Sequence, residues 1–530
     1  MSKASKAPFP ERKKAAMYAK IDTWQGRAAR LLVVLLLCIQ PLYLHPERYI
    51  RLTYHKWTFL VFSVVLALFC VLIIWAFRLV RNPRLLPQDK LHVVDWALLL
   101  FAVVTIVSTV LSPFRDEMNI WLGVEEPEGR YDGAITQLLY IAAFFIISRW
   151  YRPNVKDFAI FGVSAAIVGL IGIFQFYGMD FFRLWPTDHP RYGGYSSFDF
   201  FFRSTLGNVN ILATYVCVAI LLSGFLFVRL KSKWQPLWLA ASALCFWLMD
   251  IGGSDSGLVG VVVTMFLAIP FIIESRVSIG RTLVLISTWV VVFALQRVFF
   301  EVNIMELRSM ESLIPFFAAF IVLLAAGLLL IKIGTERASD APAKWKLSVI
   351  IMVALIIAGL AGVEVMGREE AGRRESFAGR VLFEAREAMH GNLEGEMGSG
   401  RVHMWRYALS VVPNHPIIGT GPDTFYHAFP DEAQGFMGAQ FDTAHNEYLQ
   451  ILIAQGILGL LAYLVFLGGV FFGAIRFAFR NPMLMAVLAA FVGYSVQAFF
   501  NINLPIVSQM LWVLAGMLAN EKFRQWAIDS

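Results

Sequence analysis

What most constrains this chain is a repeating pattern of long apolar blocks joined by short polar connections. A run of ~18 or more apolar residues can cross a ~30 Å hydrocarbon core as a helix. Blocks that reach or approach this length lie at 30–44, 57–78, 95–112, 134–149, 157–177, 208–229, 235–251, 256–273, 281–299, 312–332, 347–366, 449–475, 483–500 and 504–519. Hydrophobic residues make up 58% of the chain and charged ones 16%, with a mean hydropathy of +0.64, whereas soluble domains carry about 25% charge. The pattern predicts an all-α polytopic membrane protein with about fourteen transmembrane helices. Cys38, Cys70, Cys217 and Cys245 all fall inside apolar blocks, so no disulfide framework is expected. The net charge of +7 sits in short clusters between blocks, which is a topology signal and does not point to nucleic acid.

Basic clusters set the expected orientation. With the N-terminus inside, the cytoplasmic connections contain Arg81, Arg84 and Lys90; Arg149, Arg152 and Lys156; and Arg229, Lys231 and Lys233. Later ones contain Arg276 and Arg281; Lys332, Arg337, Lys344 and Lys346; and Arg476 and Arg480. The intervening loop 113–133 is acidic, and only 45–56 is basic on the outside. The positive-inside rule then puts both termini in the cytoplasm. The expected division is a basic N-terminal segment 1–29, retained and not cleaved as a signal; a membrane bundle 30–366; a large extracytoplasmic loop 367–447; a second bundle segment 448–519; and a tail 520–530. Within the large loop, Ser376 reads as a helix cap. Phe377, Val381, Ala385 and Ala388 share one helical face after it, which predicts an amphipathic helix on the membrane surface or the bundle.

Four stretches on the expected outer side look specified. The first is Trp121 to Gly133, containing Arg130. The second is Arg203-Ser-Thr-Leu-Gly207-Asn208-Val-Asn210. The third runs Gly400-Arg401-Val-His403-Met-Trp405-Arg406 and then Pro416-Ile-Ile-Gly419-Thr-Gly421. The fourth is Ala444-His445-Asn446-Glu447-Tyr448-Leu449, running into a helix interrupted at Gln455-Gly456. Read singly, each has a plain structural explanation. Asn208 and Asn210 suit a cap, Gly419 and Gly421 a tight turn or close approach, and Trp405 and Tyr448 the membrane interface.

Together, the GN-x-N, R-x3-W, P-x2-G-x-G and A-H-N-x-Y-L elements, in this order, resemble the O-antigen ligase/polymerase superfamily of bacterial glycan-assembly proteins. The resemblance implies a fold like that of the type C glycosyltransferases, in the bacterial cytoplasmic membrane. It also implies a donor glycan on undecaprenyl pyrophosphate and an acceptor that is a glycan, lipid or protein, with no nucleotide sugar. The chain departs from its relatives at Ser254-Asp255-Ser256-Gly257, where a Ser-Arg-Gly is common.

Such a donor already carries its leaving group. The protein must bind a diphosphate, hold the anomeric carbon and remove a proton from the acceptor hydroxyl. Arginine donates in pairs and keeps its charge near lipid; histidine suits a base at neutral pH. His445 is the expected base, with Asn446 orienting acceptor or imidazole and Glu447 or Asp442 as alternative bases. Arg203 and Arg401 are expected on the diphosphate, helped by Arg130 and Arg406, with Asn208 and Asn210 as further substrate contacts. No metal-ligand cluster or phosphate loop is evident, so neither metal nor cofactor is expected. Two choices stay open from the residues alone. One is a transporter of lipid-linked glycans, disfavoured because polar residues gather in outer loops instead of at mid-membrane. The other is the choice among ligase, repeat-unit polymerase and protein oligosaccharyltransferase.

Overall fold

The computed structural model describes residues 23–81, 91–125, 128–184, 202–252, 254, 256–304, 313–334, 345–368, 377–438 and 440–525. The protein is an all-α polytopic membrane protein; its only ladders among these residues are two antiparallel pairs of two residues, Val124–Glu125 with Glu128–Gly129 and Phe202–Arg203 with Gly207–Asn208. Helices α1 to α6 are Thr23–Leu42, Leu52–Arg81, Val93–Val110, Ala134–Trp150, Val155–Phe176 and Val209–Arg229. Helices α7 to α11 are Gln235–Asp250, Ser256–Leu267, Arg276–Ile304, Ile314–Ile333 and Trp345–Met366. Two loop helices follow, α12 Phe377–Met389 and α13 Arg401–Val411. The last three are α14 Glu447–Ala478, α15 Pro482–Gln497 and α16 Gln509–Ala519.

Every expected block carries helix, but they are not equivalent. Among the described residues, ten helices are long and apolar enough for a complete crossing, while Ala134–Trp150, Ser256–Leu267 and Gln509–Ala519 are shorter apolar helices. Helix α6 is almost wholly buried and forms the centre, whereas α10 and α11 bury almost none of their residues and stand at the periphery. Helix α10 is held to α9 where Gly280 and Gly327 each approach the other's carbonyl, the small-residue contact that lets membrane helices pack backbone to backbone. Helix α12 forms as the amphipathic pattern predicts, and Arg386 ties it to Glu364 at the end of α11 at 3.2 Å. Its expected cap, Ser376, lies outside the described residues.

Polar contacts gather at the two ends of the bundle. At one end, helix arginines pair with acids of neighbouring elements: Arg30 with Asp157 at 2.6 Å, Arg149 with Asp95 at 2.7 Å, and Arg229 with Glu274 at 2.7 Å. Asn520 closes the same end, donating to the carbonyls of Ile147 and Tyr151. The sequence motifs meet at the opposite end. There Gln40 donates to Pro505 O at 2.8 Å and Asn501 to Asn210 O at 2.6 Å. These two layers show that short α4 and α16 also run from end to end.

Helix α14 departs most from expectation. Straight, its 32 residues would measure about 48 Å, far more than a membrane core requires. It is broken at Gly456, which has φ 66 and ψ −170. Residues 457–478 alone supply about 33 Å, a full crossing. Residues 447–455 form a separate arm folded back over the bundle. The fold-back is sharp, because the Glu447 carboxylate accepts a hydrogen bond from Tyr463; in a straight helix these residues would stand about 24 Å apart. The span expected at 449–475 therefore starts past Gly456.

Candidate active site

The break in α14 exposes backbone groups that no helix partner can satisfy, and the Pro416–Gly421 segment supplies the missing partners. Thr420 and Gly421 N–H donate to the carbonyls of Ile453 and Ala454 at 2.9 and 2.8 Å, while Ile457 and Leu458 N–H donate to the carbonyls of Pro416 and Ile417 at 2.9 and 3.3 Å. The loop is thus spliced into the helix, the arrangement that makes non-helical backbone tolerable near apolar surroundings. Both glycines at the contact are obligatory. Gly419 (φ 71) lies against the Ala454 carbonyl and Gly456 (φ 66) against the Ile417 carbonyl, each too close for a Cβ.

The splice positions the arm, and the arm positions His445. Asn446 is the N-cap: its Oδ1 accepts from Leu449 N–H at 3.1 Å, so its amide orients the helix end. Just before it, His445 has φ 45, a left-handed conformation that costs a β-carbon-bearing residue of order 1–2 kcal/mol. Surrounding bonds hold it there. Trp405 Nε1 donates to Ala444 O at 2.8 Å, and Gln450 Oε1 accepts from Ala444 N at 3.0 Å. The imidazole Nδ1 is buried and has no hydrogen-bond partner among the described residues. Burial first, then the charge of Arg401, pushes the imidazole pKa down to about 4, so the ring is neutral at pH 7.

Arg401 opens α13 after three successive left-handed residues, Gly398, Ser399 and Gly400, and donates to Gly398 O at 2.8 Å. Its partner in the R-x3-W element, Trp405, lies one helical turn on and faces the same segment. Arg406 is about 140° round the helix from Arg401; it is exposed and donates to Leu393 O at 3.3 Å. His403 turns into the loop's own apolar cluster, stacked on Phe436 with ring centroids 3.9 Å apart.

Arg130 is a hub. It donates to Asp423 at 3.2 Å, to Asp442 at 3.1 Å and to Asn503 O at 3.4 Å, joining the loop between α3 and α4, the segment after the splice, the approach to His445 and the turn before α16. Burial raises the Asp423 carboxyl to about 7, Arg130 opposing and Asp442 adding. Asp132, which accepts from Gln137 at 2.9 Å, is held well above the usual carboxylate range by burial and then by Asp423. With two carboxylates on it, Arg130 offers little free charge to a ligand. Glu447 lies between Tyr463 and Tyr494 inside the bundle, accepting a hydrogen bond from each.

The second motif is anchored on other elements. Arg203 is 1% exposed, its guanidinium 4.7 Å over the Phe176 ring. The residues after it are bound to Tyr49, Gln175, Val168 and Pro41. Asn208 caps α6 by accepting from Asn210 N–H at 2.8 Å. Asn210 accepts from Ser254 Oγ at 2.9 Å and, through its carbonyl, from Asn501. Asn501 also donates to Thr214, Ser256 and Gln497, forming a buried knot two residues from the carbonyl that Arg130 uses. Ser254 and Ser256 thus serve packing, and Asp255 lies outside the described residues. Asp132, Asp423, Asn501 and Asn503 are the site residues that motif reasoning passed over. The available signals were the Asp two places after Gly421 and the polar break before α16.

Among the described residues, one group has cation-ligand spacing: His45, Glu47 and His55, with ligand atoms within 4.8 Å of one another. His55 already pairs with Glu47 at 2.8 Å, the histidine rings stack at 3.5 Å, and Arg51 adds positive charge beside them. This arrangement favours an ion pair over a metal.

The fold and site define a polytopic membrane protein with one polar centre at the motif end of its bundle, built on a spliced helix. Residues 311–464 match the family model described as O-antigen ligase, so the chain carries an O-antigen ligase domain over that segment, which supports its place in the O-antigen ligase superfamily. The matched segment holds Arg401, Trp405, the splice, Asp423, His445 and Gly456. Among curated proteins, none matches the chain.

Proposed function

We propose that the protein transfers a glycan from undecaprenyl pyrophosphate to an acceptor hydroxyl at the outer face of the cytoplasmic membrane. The observation that carries this reading is His445, neutral and held in a left-handed conformation beside Arg401 at the N-terminal end of the broken helix, inside the matched family segment. Arg401 and the positive end of the 447–455 arm favour an anion there, and the donor diphosphate supplies one. Its charge offsets Arg401 and returns the imidazole toward its ordinary pKa of about 6.5. The imidazole takes the proton of the acceptor hydroxyl, and the oxygen attacks the anomeric carbon from the face opposite the diphosphate. The carbon–oxygen bond to phosphate breaks with its electron pair on undecaprenyl pyrophosphate, and the anomeric centre inverts. Asn446 sets the helix end that holds His445, and Arg130 braces the loops around it with Asp423 and Asp442. Arg203, Asn208 and Asn210 shape the end of the bundle.

The test is transfer by purified protein from a defined undecaprenyl-pyrophosphate oligosaccharide to a panel of glycan, lipid and protein acceptors. Acceptor-dependent release of undecaprenyl pyrophosphate, reduced at least a hundredfold in His445→Ala, is expected, and the acceptor that works names the subclass. Near-normal turnover in His445→Ala refutes the base assignment. Donor movement across vesicles without transfer to any acceptor refutes the enzyme reading in favour of a transporter.

A further inference from the structure

The first outer loop carries a second feature that the transfer chemistry does not use. Residues 115–121 with Thr109 and Val124 surround an open pocket of about 520 Å³, within the ~300–1,000 Å³ usual for small-molecule sites. Its wall combines one large aromatic ring, Trp121, with Arg115, Asp116, Glu117 and Asn119. Trp121 is 43% exposed although its backbone is rigidly held. Trp121 O accepts from Ile135 N–H at 3.0 Å, Ile120 O from Ala134 N–H at 3.2 Å, and Asn119 O from Gly123 N–H at 2.8 Å. A fixed backbone that leaves an indole open beside four hydrogen-bonding side chains suits a ligand with an apolar face and a polar rim. Sugar rings have this character, with C–H faces that lie on aromatic rings and hydroxyls that both donate and accept. Met118, Ile120 and Val124 complete the wall, while Asp116, 90% exposed at its side chain, keeps the mouth of the pocket open to water.

We infer that this pocket is a carbohydrate-binding subsite that holds glycan units beyond the reacting sugar; the inference rests on the transfer reading above. The pocket is mechanically continuous with the site yet separate from it. Glu117 pairs with His427 Nδ1 at 3.0 Å, just beyond the splice. Ser112 donates to Thr420 O, and the Gly123 backbone packs against Asp423 so closely that a Cβ would collide with its carboxylate. The same loop carries Arg130. A glycan seated on Trp121 is therefore registered against the Arg130–Asp423 hub without touching His445.

The experiment uses the full chain in nanodiscs, with Trp121→Ala and Asp116→Asn as variants. Binding of the lipid-free oligosaccharide is followed by saturation-transfer NMR, alongside KM for donors bearing one sugar or a full repeat and for acceptors of either length. Binding about tenfold weaker in Trp121→Ala is expected. KM should also rise about tenfold for the longer donor or the longer acceptor, with one-sugar turnover unchanged. The substrate whose length dependence is lost identifies which glycan occupies the pocket. Oligosaccharide binding equal to wild type, or an equal loss for short and long substrates, overturns the inference. So does a Trp121 effect that appears only as changed insertion into lipid. If no transfer occurs with any acceptor but oligosaccharide binding still depends on Trp121, the subsite stands and the transfer reading fails.

Discussion

Gly419→Ala tests the splice directly, because the structure separates its cost into two parts. Gly419 has φ 71, where alanine costs about 1–2 kcal/mol more than glycine. Its Cβ would also meet the Ala454 carbonyl well under 3.0 Å, and no side chain can rotate away because the obstacle is backbone. Relief requires the loop to lift off the helix, opening the Thr420–Ile453 and Gly421–Ala454 bonds at 2.9 and 2.8 Å. Each bond adds about 0.5–1.5 kcal/mol, more where the freed group stays buried. The sum is roughly 2–5 kcal/mol. Gly435 is the internal control: it has φ 78 but a Cβ there would meet nothing within 4 Å, so Gly435→Ala carries the conformational part alone, about 1–2 kcal/mol. The assay is thermal unfolding of both variants in one detergent, followed by size-exclusion chromatography and by donor turnover. Gly419→Ala should lower the melting midpoint roughly twofold more than Gly435→Ala and lose turnover, since His445 is carried by the spliced arm. Equal midpoints with turnover retained would refute the splice as the support of the site.

Two further outcomes follow from the electrostatics. In the free protein, His445 protonates only near pH 4, so kcat/KM should hold well below pH 6.5. The acid limb of kcat should lie higher, because bound diphosphate offsets Arg401. Asp442 raises the His445 pKa, so Asp442→Asn should move the kcat/KM limb further down, and a wild-type limb at 6.5 that ignores this change contradicts the assignment. Arg401→Lys, which keeps charge but not the planar fork, should retain about a tenth of turnover, and Arg401→Ala far less. Arg406→Ala should stay within about twofold of wild type, because its side chain is exposed on another face of α13; measured steady-state rates that rank Arg406 with Arg401 would overturn this placement.

Helices were legible in the sequence because apolar length is a one-dimensional property. Every block between 30–44 and 504–519 contains helix, and the motif elements gather at one end of the bundle. The bend in α14 was less legible. Gly456 signals an interruption, but its direction depends on Pro416–Gly421, some forty residues earlier, and on the Glu447–Tyr463 contact. The same limit applies to charge. Arg130, Arg203, Arg401 and Arg406 look alike in the sequence, yet one is neutralised by Asp423 and Asp442, one is buried over Phe176, one faces His445 and one faces outward. Which cation is already paired is decided by residues up to 373 positions away, as with the Arg130–Asn503 bond. No local pattern carries that information. Asn208 shows the converse: its cap of Asn210 N–H is a local bond, and a cap is what the sequence suggests there.

Because Pro416–Gly421 is made before the helix it joins, the order of synthesis limits when this centre can exist. The splice is complete only once the ribosome has passed Leu458, by which time ten or more earlier helices are already made. A chain truncated just before Gly456 would contain His445, Arg401 and every arginine of the motifs, yet lack Ile457 and Leu458, which bind the Pro416 and Ile417 carbonyls, and Tyr463, which holds Glu447. The residues that finish the site are thus apolar, far from the chemistry, and among the later parts of the chain to enter the membrane.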